Sequence, residues 1–462
     1  MGKRVILTLM EGNFEQGFPV ILRIGENGAA ADTGIQIPGK LPPAPNILES
    51  FKNWQSAYRQ LVMLHSRIQP RPAQITNFSC PQLGNEVAEC LNDWLNSGSK
   101  EWQKIRDGLQ RSLSDTDEIQ FIIQTSDKRL QQLPWHLWNF FEDYPKAEVA
   151  LSASEYQPVK KAFTKNSSSK VKILAILGNS EGIDIGKDRT FLEQLSHQAE
   201  TKFLVEPQPE ELNDHLWEQG WDILFFAGHS SSQEKGLIQL NPTDSLSLNQ
   251  LRYALNKAIK QGLRLAIFNS CDGLGLAQQL TDLHIGQVIV MREPIPDVVA
   301  EEFLRHFLKA FSSGQSLYAS VRLARERLQG LESKFPCATW LPVICTNPAE
   351  ASITWPLPQR PIFSLHSLRT VLLGSVVVTG LIMGMRHLGM LQTLELKTFD
   401  HLMQLRSTEK PDRHLLIVTV DEADIQYQSR MGMKIRWSLS DQALAQLLKK
   451  LEQYQPRTIG LD

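Results

Sequence analysis

The chain has 462 residues, a formal net charge of −2 and a hydrophobic fraction of 42%. That length holds roughly two or three domains with a well-buried core, and the near-neutral balance supplies no basic field to draw in nucleic acid. Its five cysteines, Cys80, Cys90, Cys271, Cys337 and Cys345, are odd in number and contain no Cys-x-x-Cys pair. This excludes a disulfide framework and a structural zinc site, so neither metal nor cofactor is expected.

The N-terminus lacks the apolar run of a secretory signal. Arg4 to Met10 and Phe18 to Ile24, separated by Gly12, predict a hairpin. The Gly/Pro/Ala-rich stretch Gly25 to Pro45 reads as a loop. Leu48, Phe51, Trp54, Tyr58 and Leu61 recur at helical spacing, and Val87 to Leu95 and Trp102 to Leu113 predict two more helices. Ile119 to Ile123 is a short buried strand, and Leu133-Pro-Trp-His-Leu-Trp138 opens another helix.

From Val171 the pattern alternates. Apolar strands are expected at Val171–Leu177, Phe203–Val205, Ile223–Phe226, Leu263–Phe268 and Val288–Met291, with helical segments between several of them. Continuous apolar runs joined by helices mean buried parallel strands and a three-layer α/β domain. Helices Val298–Phe311 and Ser316–Leu331 follow, and Leu341–Cys345 is a closing strand.

A Pro-rich linker leads to Thr370–Met385, which carries no charge. Its length of about 24 Å falls short of a hydrocarbon core of about 30 Å, but Arg369 and Arg386 can snorkel and lengthen the span. A single transmembrane helix is therefore expected over 367–388. The positive-inside rule puts the part before it in the cytoplasm and the part after it outside. Beyond it, Leu415–Val420 reads as a strand, Ala443–Leu451 as a helix and Thr458–Leu461 as a second strand. The chain stops directly after that strand, as expected of a piece of a longer protein.

Two strand ends carry chemistry. Ile223-Leu-Phe-Phe-Ala-Gly-His229 delivers a histidine and Leu265-Ala-Ile-Phe-Asn-Ser-Cys271-Asp-Gly273 a cysteine. In an open α/β sheet, ligands gather at the carboxyl ends of the strands. If the two strands are neighbours, His229 and Cys271 face one crevice and suffice for nucleophilic acyl transfer. Gly228 and Gly273 allow close backbone approach. The backbone at Ser230, Cys271 and Gly273 supplies the oxyanion site, with the N–H groups of Ser230 and Cys271 as donors. Cys337 and Cys345 read as packing.

The segments Leu133-Pro-Trp-His-Leu-Trp138, Phe226-Ala-Gly-His229, Phe268-Asn-Ser-Cys271-Asp-Gly273, Ile289-Val-Met-Arg-Glu-Pro294 and Trp340-Leu-Pro-Val-Ile344 resemble the CHAT family, caspase-like domains of the separase and gingipain clan. The resemblance implies a caspase-like α/β fold, with His229 the catalytic histidine and Cys271 the nucleophile. It departs at Ser230, where many clan members have glycine. Asn269 stands where relatives that cut after basic residues often carry aspartate, so no preference for Arg or Lys is expected. Leu388 to Asp400, Leu416 to Ile425 and Pro456 to Asp462 resemble the start of a second-class CHASE domain, an extracytoplasmic sensor module of bacterial receptors. Asp421, Glu422 and Asp424 there read either as a contact for a ligand or cation or as a solvated turn.

The expected layout is an N-terminal α+β part (1–130), a peptidase domain (131–350), a linker (351–366), the membrane helix (367–388) and an incomplete α/β sensor segment (389–462). The expected function is a membrane-anchored signalling protein, a cysteine endopeptidase with a protein or peptide substrate, gated by a small-molecule signal outside. The alternative is a catalytically inactive receptor or scaffold whose caspase-like domain binds partner proteins.

Overall fold

The computed structural model describes residues 2–27, 34–65, 79–156, 170–181, 183–231, 236–270, 273–355, 375, 378–406, 412, 414–434 and 439–461. The chain divides into two compact units, Met1–Arg360 and Pro361–Asp462.

The first unit is built on one eleven-stranded, mostly parallel sheet. The hairpin forms as the sequence predicts, from β1 (Gly2–Leu9) and β2 (Phe18–Glu26). The expected loop after it contains a strand, β3 (Ile35–Leu41), paired to β2. Pro38 and Gly39 hide this strand from a propensity reading, and its place at the edge is what lets it keep a proline. Parallel to β1 run β4 (Glu118–Gln124) and then β5 (Ala147–Ser152).

The other half holds β6 (Val171–Leu177), β7 (Ala199–Val205), β8 (Ile223–Ala227), β12 (Leu265–Asn269) and β13 (Gln287–Met291), all parallel. Every residue of β8, β12 and β13 is buried. That explains their unbroken apolar runs, since burying each Val, Leu, Ile or Phe is worth about 1.5–3 kcal/mol. The closing strand, β14 (Pro342–Thr346), lies inside the sheet, antiparallel to β13 and parallel to β5. A separate small sheet comprises β9 (Ser230–Ser231), β10 (Leu237–Gln239) and β11 (Ser245–Ser247).

Helices α1 (Ile47–His65), α2 (Ser79–Leu95) and α3 (Lys100–Ser112) match the predicted amphipathic segments. The Leu133–Trp138 motif does not open a full helix. It is a turn around the 3-10 segment Trp135–Leu137. Its geometry is set by Arg292, directly after β13. The guanidinium donates to the carbonyls of Gln132, Leu133 (2.9 Å) and Trp340 (3.2 Å). The adjacent Glu293 pairs with Arg59 on α1 at 2.7 Å, and Tyr58 donates to the Pro294 carbonyl at 2.9 Å. The Met-Arg-Glu-Pro, Leu-Pro-Trp and Trp-Leu-Pro motifs are thus one structural clamp, in which mainly charge-assisted hydrogen bonds hold distant segments together.

In the second unit the described residues form helices, at 378–387, Gln392–Gln404, Glu422–Arg430 and Asp441–Glu452. The strands expected at Leu415–Val420 and Thr458–Leu461 are not formed. These apolar runs find no partner strand among the described residues, and a lone strand is not stable. The α/β expectation for this unit is corrected accordingly. Asp421 and Asp424 form a reciprocal capping box on Glu422–Arg430, which gives two of the three acidic residues a structural role. Among the described residues no helix is long and apolar enough to cross a membrane. Residues 367–374, 376 and 377 of the expected span lie outside the described residues.

Candidate active site

Strands β8 and β12 are parallel neighbours, with Ala227 opposite Asn269. Both expected site segments therefore leave the sheet side by side at its carboxyl edge. Cys271 and Asp272 lie outside the described residues. Their neighbours are placed: Ser270 is buried, and its hydroxyl accepts from the Ser230 hydroxyl at 2.8 Å. The Ser230 side chain is thereby turned onto the β12 end.

Gly228 makes the exit from β8 possible. Its φ is +150°, and a Cβ there would stand 3.1 Å from the Cα of Gly178 at the end of β6. The turn presents His229 half-buried, with ring Nε2 2.8 Å from the carbonyl oxygen of Glu181. A carbonyl only accepts, so Nε2 carries the hydrogen and the neutral ring keeps its lone pair on Nδ1. This is the tautomer a general base needs when one ring nitrogen is tied back to the scaffold.

Gly273 plays a different part from the one expected. Its N–H donates to the Met291 carbonyl at 2.8 Å, and a Cβ there would collide with Val290. The glycine seats the helix Leu274–Asp282 against β13, and its N–H is not available to an oxyanion.

The rival cysteines are structural. Cys345 is buried in β14 and its thiol is pushed up to about 12 by burial. Cys337 accepts from Trp54 Nε1 at 3.3 Å, and its contact with Cys80 together with burial pushes its thiol up. Neither yields a thiolate near neutral pH.

Beside His229 lies a cavity of about 60 Å³, lined by Asp184, Asp188, Asn269, Asp297 and Glu301 among others. Asn269 donates to Asp188 Oδ1 at 3.0 Å. Burial pushes the Asp188 carboxyl up to about 7, opposed by that hydrogen bond and aided by Glu301, Asp297 and Asp184. Sequence reading missed this group because Asp188 and Asn269 are 81 positions apart. A larger cleft of about 720 Å³ is lined by Leu237, Asn249, Arg252, Gln279 and Asp282, and includes neither His229 nor Asn269.

Asp188 has a measurable consequence. In the unfolded chain it loses its proton near the ordinary aspartate value of 3.8, and in the folded chain near 7. Between those values the folded state holds a proton that the unfolded state lacks, so stability falls as pH rises and levels off above the upper value. Asp188→Asn removes this loss while keeping an oxygen for Asn269. The variant is expected to be more stable than the parent by roughly 2–4 kcal/mol above about pH 7.5, and nearly equal to it below about pH 4. Thermal melts at the two pH values check this. Equal stability at the higher pH would mean that the carboxylate carries no penalty.

With this geometry in place, the sequence matches the CHAT domain over residues 102–355, more than half of the chain. The chain belongs to the CHAT family. Residues 377–462 match the CHASE2 domain. The CHAT match spans β4 to β14 and so contains both strand ends of the candidate site. No curated protein matches this CHAT chain. Among solved structures it is similar to the crystal structure of the Arg-specific cysteine proteinase gingipain R, with a TM-score of 0.35 and 8% identity over 66% of this chain and 77% of that one.

Proposed function

We propose that the CHAT domain is a caspase-like cysteine endopeptidase, with His229 and Cys271 as its dyad. The observation that carries this reading is His229 at the end of β8, its tautomer set by the Glu181 carbonyl, next to the strand that runs on to Cys271. His229 Nδ1 takes the thiol proton. The thiolate attacks the peptide carbonyl carbon, and the tetrahedral oxyanion is held by the N–H groups of Ser230 and Cys271. The C–N bond then breaks, and the imidazolium returns its proton to the leaving amine. Water, deprotonated by His229, cleaves the thioester and restores the thiol.

A peptidyl electrophile probe tests this. Covalent labelling of the full chain is expected at Cys271 alone, mapped by mass spectrometry, and is expected to vanish in His229→Ala at neutral pH. Labelling that is absent, or spread over Cys90 and Cys271 alike, would favour a non-catalytic, partner-binding domain.

The CHASE2 match supports a sensor module on the far side of a membrane from the CHAT domain. In the described part of the expected span, Val378, Leu381, Ile382 and Met383 are exposed, a surface unfavourable in water at about 25 cal/mol per Å² of apolar area. Lipid is the covering proposed here. A cysteine introduced at Asp412 is expected to react with an impermeant thiol reagent on intact cells, and one introduced at Ser167 is expected to stay protected. The reverse pattern would remove the receptor topology.

A further inference from the structure

We propose that Cys80 and Cys337 are a site of oxidative modification: hydrogen peroxide closes the two thiols into a disulfide that fastens helix α2 to the turn leading into β14. The proposal is independent of the peptidase reading and of Cys271.

Both residues are free thiols, buried to 1% and 8% exposure, and their side chains are in contact. Cys80 lies in the first turn of α2, and Cys337 directly precedes the 3-10 segment Ala338–Trp340. The fit around Cys337 is close. A Cβ on Gly84, one helical turn beyond Cys80, would stand only 2.9 Å from Cys337 Sγ, so the sulfur rests on bare helix backbone. From another side Trp54 Nε1 donates to the same sulfur at 3.3 Å. The Cys337 backbone is left-handed, with φ at 61° and ψ at 25°. Glycine adopts that conformation freely, and a residue with a Cβ is strained in it. A glycine here would relieve the turn and lose the thiol. Outliers of this kind gather where a side chain has a task.

The hydrogen bond between the thiols assigns their roles. The Cys337 S–H donates to the Cys80 sulfur, which holds the Cys80 thiol below its ordinary value while Cys337 is pushed up. The first turn of the 17-residue α2 also favours a negative sulfur. Cys80 is thus the attacking thiolate and Cys337 the resolving thiol. Pro81 and Gln82 beside Cys80, and Ser333 and Lys334 shortly before Cys337, are exposed, so a molecule as small as hydrogen peroxide has a short way in.

The Cys80 thiolate attacks one peroxide oxygen and the O–O bond breaks. The sulfur becomes a sulfenic acid, and the departing hydroxide takes the proton that Cys80 had given up. The Cys337 sulfur then attacks the Cys80 sulfur, the S–O bond breaks, and the second hydroxide takes the Cys337 proton. Two thiols lose two electrons and two protons, and one peroxide becomes two waters. A dithiol reverses the change. Cys90, also on α2, meets the hydroxyl of Ser50 at 3.7 Å, and Cys345 is buried in β14, so these two serve as internal controls.

The test uses the full chain carrying Cys271→Ala, so that the candidate nucleophile does not compete for the oxidant. The folded protein is treated with hydrogen peroxide, unfolded in N-ethylmaleimide, digested and read by mass spectrometry without reduction. The expected product is the Cys80 peptide joined to the Cys337 peptide, two hydrogens lighter than their sum, with Cys90 and Cys345 carrying maleimide. Because the bond closes a long loop, the oxidised chain is expected to melt several degrees above the reduced one, and dithiothreitol is expected to abolish the difference. Cys337→Ser is expected to stop Cys80 at the sulfenic acid, which dimedone traps. Cys80→Ser is expected to leave Cys337 unmodified. Tryptophan fluorescence shows that each variant is folded, and the mapping of the linked peptide needs neither variant. Maleimide on both Cys80 and Cys337 after peroxide, crosslinks shared out among Cys90 and Cys345, or a Cys80–Cys337 crosslink that leaves the melting temperature unmoved would overturn the proposal.

Discussion

Substituting His229 by alanine is expected to lower peptide turnover by about three orders of magnitude, and Cys271→Ala to abolish it. Folding is expected to survive the histidine change. His229 sits half-buried beyond the end of β8, and the bond from Nε2 to the Glu181 carbonyl ties it to a surface turn rather than to the core. Thermal melts of variant and parent should therefore superimpose. A second signature separates a lost base from a disturbed fold. Without the imidazole, alkylation of Cys271 by iodoacetamide should depend on pH like an ordinary thiol, with its midpoint near about 8.5. Turnover unchanged in His229→Ala, or an alkylation profile that does not move, would mean that His229 is not the base.

The second large effect is on stability. Arg325, on the helix Leu317–Arg327, meets Glu148 of β5 at 2.7 Å, with side chains only 7% and 3% exposed. Arg325→Met leaves that carboxylate buried opposite a thioether, and a cost of about 3–5 kcal/mol is expected. Burial already pushes the Glu148 carboxyl up, held back chiefly by Arg325. Removing the arginine raises it further. The folded variant then binds a proton that its unfolded chain releases, so the loss grows as pH rises above the normal glutamate range. Urea unfolding at pH 5 and pH 8 measures this. Tryptophan fluorescence follows the first unit, because of the ten tryptophans only Trp437 lies beyond Arg360. The double variant Glu148→Met/Arg325→Met should recover most of the stability. A single variant as stable as the parent at pH 8 would show that the pair contributes nothing net.

What could be read from the sequence follows from how each feature is encoded. The strands β6, β8, β12 and β13 were legible because burial on both faces demands unbroken apolar runs. The hairpin β1–β2 was legible because its contacts are local. β3 was not, since Pro38 and Gly39 oppose strand propensity and only pairing with β2 overrides them. His229 stood out because glycine and histidine follow an apolar run. The acidic wall around Asn269 did not, because its carboxylates come from the segment 184–188 and from Asp297 and Glu301, which only the fold brings together. Gly273 was read from its neighbours in the sequence as part of the oxyanion backbone, leaving room for a substrate, but the partner of its N–H, Met291, belongs to the adjacent strand. The segment that matches CHASE2 misled for a similar reason: an apolar run such as Leu415–Val420 is a strand only where another strand accepts it.

The position of β14 bears on how the protein is made. Among the described residues this strand is the last of the first unit to leave the ribosome, yet it sits between β5 and β13 and joins the two halves of the sheet. Until it arrives, β5 and β13 each expose an unpaired edge, and edges of this kind invite wrong partners. Pairing over so long a sequence separation is also slow. Completion of the sheet therefore waits for residue 346, after both His229 and Cys271 have been synthesised. A nascent chain that carries both residues is thus still without a finished sheet, so the two strand ends of the candidate site are held in their final frame only once β14 is in place.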